Sequence, residues 1–445
     1  MLGLVLVASC CAPAQVSDRL TLVRLPTGGA PTANNNKTLD FVDVYTRGLG
    51  GFPTFQWPHL TRIPAQTSPG GGPFAGPSEV LLALADACRA TVPACTSQNK
   101  SWICCADTDD QMLVLRRSTD AGKSWSKLSY PYLQPEGTSA WPFPKNMKTS
   151  GQMVWDAKGG RVWLWVSTEH VYHKASYDHG CVGDGQTFTG MMLTHSTDLG
   201  LSWAAPLNLS TAIEPQWGPS LCITPAGGNS MLMLDKSGGP RTLLLMAEVP
   251  GTVPGQNISG DHVMIHITSL PDGPHDIVDE IADLKYNLTR SLTQPCVSKG
   301  KKCFFDEAAM AVLPGTETVF VALRSDPALT HSYATTTSTD GGHTFGPTDF
   351  NAQLFSVACE PSSVAVTGGS AGAGGLFVAA PNLGHSPVAA GTVFTSRTNM
   401  TVMGSTNGGR EWELLRSVFV GPSMYSNLAD GGDGSLLLFF ERAFV

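Results

Sequence analysis

The octet Ser118–Trp125 (STDAGKSW) returns as Ser196–Trp203 (STDLGLSW), Ser338–Phe345 (STDGGHTF) and Ser405–Trp412 (STNGGREW). Each copy reads Ser-Thr-Asp/Asn-x-Gly-x-x-aromatic. The acid or amide in third position can accept from neighbouring backbone N–H groups and hold a tight turn. The glycine supplies the positive φ that such a turn needs, and the aromatic covers the apolar base of a hairpin. Apolar runs precede the octets, at Met112–Leu115, Met191–Thr194, Ala334–Thr337 and Thr401–Met403, and read as strands. A decayed fifth copy stands at Ser269–Gly273 (SLPDG). The five starts, at 118, 196, 269, 338 and 405, are separated by 78, 73, 69 and 67 residues. Each interval suits one four-stranded sheet with generous loops, and 445 residues hold about six of them. The expected fold is all-β: a six-bladed β-propeller with hairpin turns at the octets. Val162–Ser167, Arg241–Ala247, Thr318–Leu323 and Ser435–Phe440 supply further strands. No long amphipathic helix stands out, and residues 16–445 read as a single domain.

Composition narrows the class. Hydrophobic residues make up 42% of the chain, enough for a packed core, and 48 glycines with 31 prolines suit many turns. Charged residues are only 14%, the formal net charge is −8 and no basic stripe occurs, which argues against nucleic acid as a partner. Met1–Ala14 carries the apolar stretch Leu2–Ala8 and ends in Ala12-Pro13-Ala14. Residues 1–15 therefore resemble a signal peptide that lacks its basic start, the plainer alternative being an apolar N-terminal tail. Later in the chain no apolar run reaches the ~18 residues of a membrane helix. Sequons at Asn36, Asn99, Asn208, Asn257, Asn287 and Asn399 point the same way, to a secreted or luminal, lysosome-like residence. Of eleven cysteines, Cys88, Cys95, Cys104 and Cys105 crowd one segment, and Cys296 and Cys303 bracket another. Their spacing fits disulfides better than a zinc site, and an odd count leaves at least one free thiol.

The octets are similar to the Asp-boxes of sialidases, which also occur in non-catalytic propellers. Other motifs carry the resemblance further. Thr61-Arg62-Ile63-Pro64 resembles the [F/Y]RIP motif that opens the sialidase catalytic domain, with threonine for the aromatic. By that resemblance Arg62 is one of three arginines that grip the substrate carboxylate, a role suited to a planar, permanently charged fork. Leu81–Arg89 (LLALADACR) is similar to the family's LLAFAEAR, with Arg89 one residue out of register as a further substrate contact. Asp107–Asp120 (DTDDQMLVLRRSTD) rejoins the pattern and puts Asp107 at the acid/base aspartate, with Asp109 and Asp110 as rivals and a solvated acidic loop as the plain alternative. In Asp306–Arg324 (DEAAMAVLPGTETVFVALR), Glu307 matches the glutamate that partners the nucleophile and Arg324 the second arginine. Ser396–Gly409 (SRTNMTVMGSTNGG) offers Arg397 as the third. Gly421–Asn427 (GPSMYSN) matches G-x-S-x-Y-S-[DN], whose tyrosine, here Tyr425, is the nucleophile. Phe439-Phe440-Glu441 resembles the closing YE, whose glutamate orients the first arginine.

The resemblance implies a retaining exo-α-sialidase that removes terminal sialic acids from glycoproteins, glycolipids or oligosaccharides. A sialoside bears a carboxylate on its anomeric carbon, so a neutral phenol meets less repulsion than a carboxylate nucleophile would. With a pKa of ~10, the phenol needs a base, which is Glu307. Asp107 protonates the leaving oxygen and then activates water. No metal or organic cofactor is required, and the implied partner is the sialylated glycan. The alternatives are a sialic-acid-binding propeller (lectin or receptor module), a trans-sialidase, and a hydrolase of the deaminated sugar. Linkage preference and oligomeric state stay open.

Overall fold

The structure is a computed structural model. It describes residues 19–27, 39–65, 79–88, 111–131, 147–170, 190–210, 212–213, 224–235, 240–249, 261–273, 285–289, 297–298, 301–302, 305–325, 331–367, 375–383 and 397–443. The architecture is all-β and propeller-like. The first strands are β1 (Arg19–Pro26) and β2 (Phe41–Thr46), then β3 (Phe55–Ile63), β4 (Val80–Cys88) and β5 (Gln111–Ser118). There follow β6 (Met147–Asp156), β7 (Arg161–His170), β8 (Gly190–Ser196) and the short β9 (Leu207–Asn208). Next come β10 (Thr224–Pro225), β11 (Met231–Leu234), β12 (Thr242–Val249), β13 (Asp261–Thr268) and β14 (Lys285–Thr289). A two-residue ladder joins β15 (Val297–Ser298) to β16 (Lys301–Lys302). The chain then forms β17 (Phe305–Val312), β18 (Val319–Ser325), β19 (Ser332–Ser338) and β20 (Asp349–Phe355). It ends with β21 (Ser362–Val366), β22 (Gly375–Pro381), β23 (Thr398–Ser405), β24 (Glu413–Asp430) and β25 (Ser435–Arg442).

All pairings are antiparallel, and successive sheets are β3–β5, β6–β9, β10–β14 and β17–β20. The last strands form β21-β22-β23-β24, and the long β24 continues into β24-β25-β1-β2, so the N-terminal strand completes the C-terminal sheet. Among the described residues no helix is long and apolar enough to cross a membrane.

Strands between two neighbouring sheets are apolar on both faces, and this explains their continuous hydrophobic runs. In β7, Val162, Leu164 and Val166 enter one core with β3–β5, while Trp163 and Trp165 enter the next with Leu243 and Leu245 of β12. Leu244 and Met246 then turn to Met310 and Val321. Phe320 and Ala322 meet Leu376 and Val378 of β22, and Phe377 and Ala379 meet Leu436 and Leu438 of β25. Leu437 and Phe439 share the core of β3–β5. A side-chain period of two thus ties each sheet to the sheets before and after it.

The innermost strands touch without a continuous ladder, and polar side chains clip them together. β3 lies against β6 and β24, β11 against β6 and β17, and β21 against β17 and β24. Asn427 Oδ1 accepts the Leu60 N–H at 3.0 Å, which turns its Nδ2 toward His59 Nδ1, also at 3.0 Å. His59 Nε2 lies 2.8 Å from the Met153 carbonyl and 3.0 Å from the Met153 N; with Nδ1 accepting from Asn427, the neutral ring carries its proton on Nε2 and donates it to the carbonyl. Asn229 Nδ2 donates to the Leu428 carbonyl at 3.1 Å, and its Oδ1 accepts from Ser363 N at 3.2 Å.

Each full octet begins at the last residue of a third strand. In the first, Ser118 Oγ donates to Asp120 Oδ1 at 2.8 Å, which also accepts the Ser124 N–H at 2.9 Å. The equivalent serine-to-Asp/Asn bonds measure 2.8 Å at Asp198, 2.7 Å at Asp340 and 2.9 Å at Asn407. Gly122 has φ +87° and donates its N–H to Ser118 Oγ at 2.9 Å, so the turn requires its glycine. The fifth turn, at Ser269–Gly273, lacks that internal anchor. Arg241 supports it from outside, donating to the Leu270 carbonyl at 3.0 Å while pairing with the buried Asp156 at 2.7 Å.

Candidate active site

The octets give the sheets a polarity that decides which residues can meet. Ser338 ends β19 beside Val319, at the end of β18 opposite Arg324. Arg397 directly precedes β23, whose other end is Ser405 of the last octet. Glu307, Arg324, Arg397 and Tyr425 all sit away from the octets.

There the side chains engage one another. Arg324 Nη1 is ion-paired with Glu307 Oε2 and lies 3.5 Å from Asp306 Oδ2. The Glu307 and Arg324 side chains keep 18% exposure each, so the pair is sheltered yet open on one side. Burial pushes the Glu307 carboxyl above its ordinary range, against the pull of Arg324, and the nearby Asp306 adds to the rise. Arg397 Nη2 donates to the Ala358 carbonyl at 2.7 Å, and its Cζ stands 5.4 Å from the centroid of the Tyr425 ring. Tyr425 interacts electrostatically with both Arg324 and Arg397. Burial works against the charge of each guanidinium, but Glu307 and Asp306 beside Arg324, and Cys359 and Tyr425 beside Arg397, more than restore it.

A third wall comes from β3 and β25. Glu441 is fully buried and accepts the Trp57 N–H at 2.9 Å. Burial pushes its carboxyl up to about 8, with the Trp57 N–H and Arg397 pulling it back only in part. Trp57 holds φ +49°, an uncommon conformation for a bulky residue, and its ring lies 6.1 Å from that of Tyr425. Among the described residues no group of three or more His, Cys, Asp or Glu is placed to hold a metal ion.

No family model matches the chain. A curated protein, the sialidase of Bacteroides fragilis (strain YCH46), is 30% identical over 122 residues, covering 26% of this chain and 22% of the relative. The solved Hadza microbial sialidase Hz136 superposes with a TM-score of 0.55 at 19% identity, over 87% of this chain and 63% of its own. The NanB sialidase of Streptococcus pneumoniae gives 0.53 at 13% identity, over 86% and 65%. The chain is sialidase-like in sequence and in fold. It spans about a fifth of the curated relative and under two thirds of these two solved chains.

Two expectations for the sialidase-like site need correcting. Arg62 does not join the other arginines. It pairs in register with Leu81, and Leu81 pairs with Ser118, so Arg62 stands at the octet end of its sheet. Its Nε donates to Glu79 at 2.7 Å, its guanidinium lies against Gly432, and Arg24 shares the same glutamate. Five residues of strand separate it from Trp57, roughly 16 Å at 3.3 Å per residue. Glu441 consequently orients the Trp57 backbone and not Arg62. The β3 end that does reach the site reads Phe55-Gln56-Trp57-Pro58. It keeps the aromatic and the proline of the [F/Y]RIP pattern and carries glutamine at the arginine position. That spacing was the available signal for Trp57, and TRIP six residues later masked it. Arg89 and Asp107, like Asp109 and Asp110, lie outside the described residues. So do the N-terminal segment 1–15 and every cysteine except Cys88 and Cys359, of which Cys359 is a buried free thiol. Glu360, Tyr333 and Cys359 were not anticipated. They come from the stretch before β21 and from β19, where no motif marked them.

Proposed function

We propose that the chain is a retaining exo-α-sialidase that hydrolyses terminal sialic acids through Tyr425. The observation that carries the reading is the meeting of Tyr425, Arg397, Arg324 and Glu307 at one end of the sheets, although they are far apart in sequence. Two guanidinium groups beside a phenol suit a sugar that carries its carboxylate on the reacting carbon. Arg324 and Arg397 receive that carboxylate. Tyr425 attacks the anomeric carbon as Glu307 takes the phenol proton, and the aglycone leaves with a proton from Asp107. Water then displaces the tyrosine, giving one proton to Asp107 and keeping the other in the new anomeric hydroxyl, while Glu307 returns to Tyr425 the proton it took in the first step. The anomeric configuration is retained after two displacements.

The scaffold we propose is a closed six-bladed propeller formed by residues 16–445, with the octets as Asp-box turns. The alternating cores and the strand sequence β3, β6, β11, β17, β21, β24 around the interior support it. The displacement of Arg62 supports a second reading, a module that binds sialic acid without turnover, because one of three expected carboxylate contacts is gone. A fluorogenic sialoside assay separates the two. Wild type should release the fluorophore and Tyr425→Phe should lose about 10²-fold or more of kcat, as expected for removal of a nucleophile. Wild type that binds a sialic acid analogue but never turns over favours the binding module.

A further inference from the structure

Glu360 lies behind the site and has no part in the steps above. It ends a constrained segment, residues 356–360. Ala358 there holds φ +55°, a left-handed conformation costly to any residue but glycine. Three bonds fix it: Arg397 Nη2 to the Ala358 carbonyl at 2.7 Å, Tyr333 OH to the Cys359 carbonyl at 2.7 Å, and the Ala358 N–H to Ser356 Oγ at 3.2 Å. The segment delivers a side chain that is 6% exposed, with Oε1 accepting the Gly228 N–H. A Cβ built on Gly227 would come within 3.0 Å of Glu360 Cδ and 3.1 Å of Glu307 Cβ, so both glutamates flank one glycine.

The charges facing Glu360 come from every side. Glu307 belongs to β17, Arg324 to β18 and Glu441 to β25, and Asp306 and Arg397 act on Glu307 beside it. Glu307, Glu360 and Glu441 are three sheltered carboxyls against two guanidinium groups. Arg324 is committed to Glu307 and Arg397 to a carbonyl. The hydrogen-bond partner seen for the Glu360 carboxyl is a neutral N–H. An ionised carboxylate in that position would face Glu307 without a paired cation, an unfavourable state. Burial and the Glu307 charge accordingly hold the Glu360 carboxyl well above the usual carboxylate range.

We propose that Glu360 is a positioning residue that holds a proton behind the Glu307–Tyr425 pair and so keeps Arg324 with Glu307. The proposal rests on the sialidase reading for the roles of Glu307 and Tyr425. Ionisation of Glu360 at high pH puts a second anion beside Glu307, competes for Arg324 and repels the incoming carboxylate. The alkaline limb of kcat/KM then belongs to the coupled group and not to one residue.

Glu360→Gln keeps the size and the acceptor for Gly228 but cannot ionise. Two measurements test it on the full chain. In kcat/KM profiles on a fluorogenic sialoside, the alkaline limb should move to higher pH. In infrared spectra at pH 7, the protonated-carboxyl band should lose one component and keep that of Glu441. A folded Glu360→Gln with an unmoved limb, with no activity at any pH, or with an unaltered infrared band overturns the proposal. If wild type shows no turnover, the sialidase reading fails while the infrared band still decides the protonation. If Glu360→Gln does not fold, Glu307→Gln serves, read by infrared alone. Removing the neighbouring charge should bring the Glu360 ionisation to lower pH, and an unchanged titration overturns the idea.

Discussion

Arg62 and Arg397 show what a side chain's identity leaves unsaid. Arg62 lies within a strand and Arg397 just ahead of one, both sit in family-like motifs, and both are mostly buried. They differ in the strand end they occupy, and register fixes that end. The tripeptide match gave no access to it, because a short motif does not say how far its strand runs on either side. The paired substitutions should separate them. Arg397→Ala should weaken a sialic acid analogue by about 30-fold or more, the scale of losing a charged hydrogen bond in a sheltered site. Arg62→Ala should change that affinity by less than about twofold and lower stability by about 1 kcal/mol, through loss of its partly exposed pair with Glu79. Calorimetric titration and urea unfolding on both variants measure these effects. A comparable loss of affinity in Arg62→Ala would place that side chain back in the substrate contact.

At the level of strands and turns, the sequence was most readable where structure is local. The four full octets carry their own turn chemistry, and their positions mark strands β5, β8, β19 and β23 without reference to any tertiary contact. The run 435–440 was legible as β25 for the same reason, since continuous apolar residues mark a strand covered on both faces. Two features were not legible. β1 joins the C-terminal sheet through pairing with β25, a contact across more than 400 positions. The support of the fifth turn by Arg241 likewise depends on a residue from elsewhere in the chain, just ahead of β12. The octet turn itself makes a prediction at this scale. Asp340 accepts from Ser338 Oγ at 2.7 Å, from Thr344 N at 2.9 Å and from Thr344 Oγ1 at 2.6 Å. Burial opposes its ionisation, but the Thr344 bonds prevail and draw the carboxyl down to about 2. A depressed carboxylate stabilises the fold above its unfolded pKa of ~3.9 and loses that effect as pH falls through its folded value. Asp340→Ala should therefore cost about 1 kcal/mol at neutral pH, similar to the loss of a capping side chain. The gap from wild type should narrow as pH falls from about 4 toward about 2. Urea midpoints at pH 7 and near pH 3 check both statements.

Over the whole molecule, the outer faces of the sheets are held by apolar cores, but the innermost strands depend on side-chain clips. His59 is central among them, joining β3 to Met153 of β6 and, through Asn427, to β24. Its ring is 2% exposed, and burial draws its pKa down to about 4 against the bonds to Met153 and Gly228. The neutral ring matches the geometry, since Nδ1 must accept from Asn427. Protonation would place two donors face to face there, with the new charge buried. The sign of the linkage follows. In the unfolded chain the imidazole binds a proton near pH 6.5, while in the native fold it stays neutral down to about pH 4. The unfolded state therefore holds more protons across that window, and stability falls as pH drops through it, by on the order of 3 kcal/mol in all. His59→Gln can still bond to Asn427 but has no proton to gain. Wild type should exceed this variant in unfolding free energy at pH 7, and the excess should shrink steadily from about pH 6.5 to about pH 4. Other titrating groups contribute alike to both proteins and cancel in the difference. A difference that stays flat across the window would mean that His59 takes up its proton without disturbing the inner strands, and that the clips do not hold the centre of the fold together.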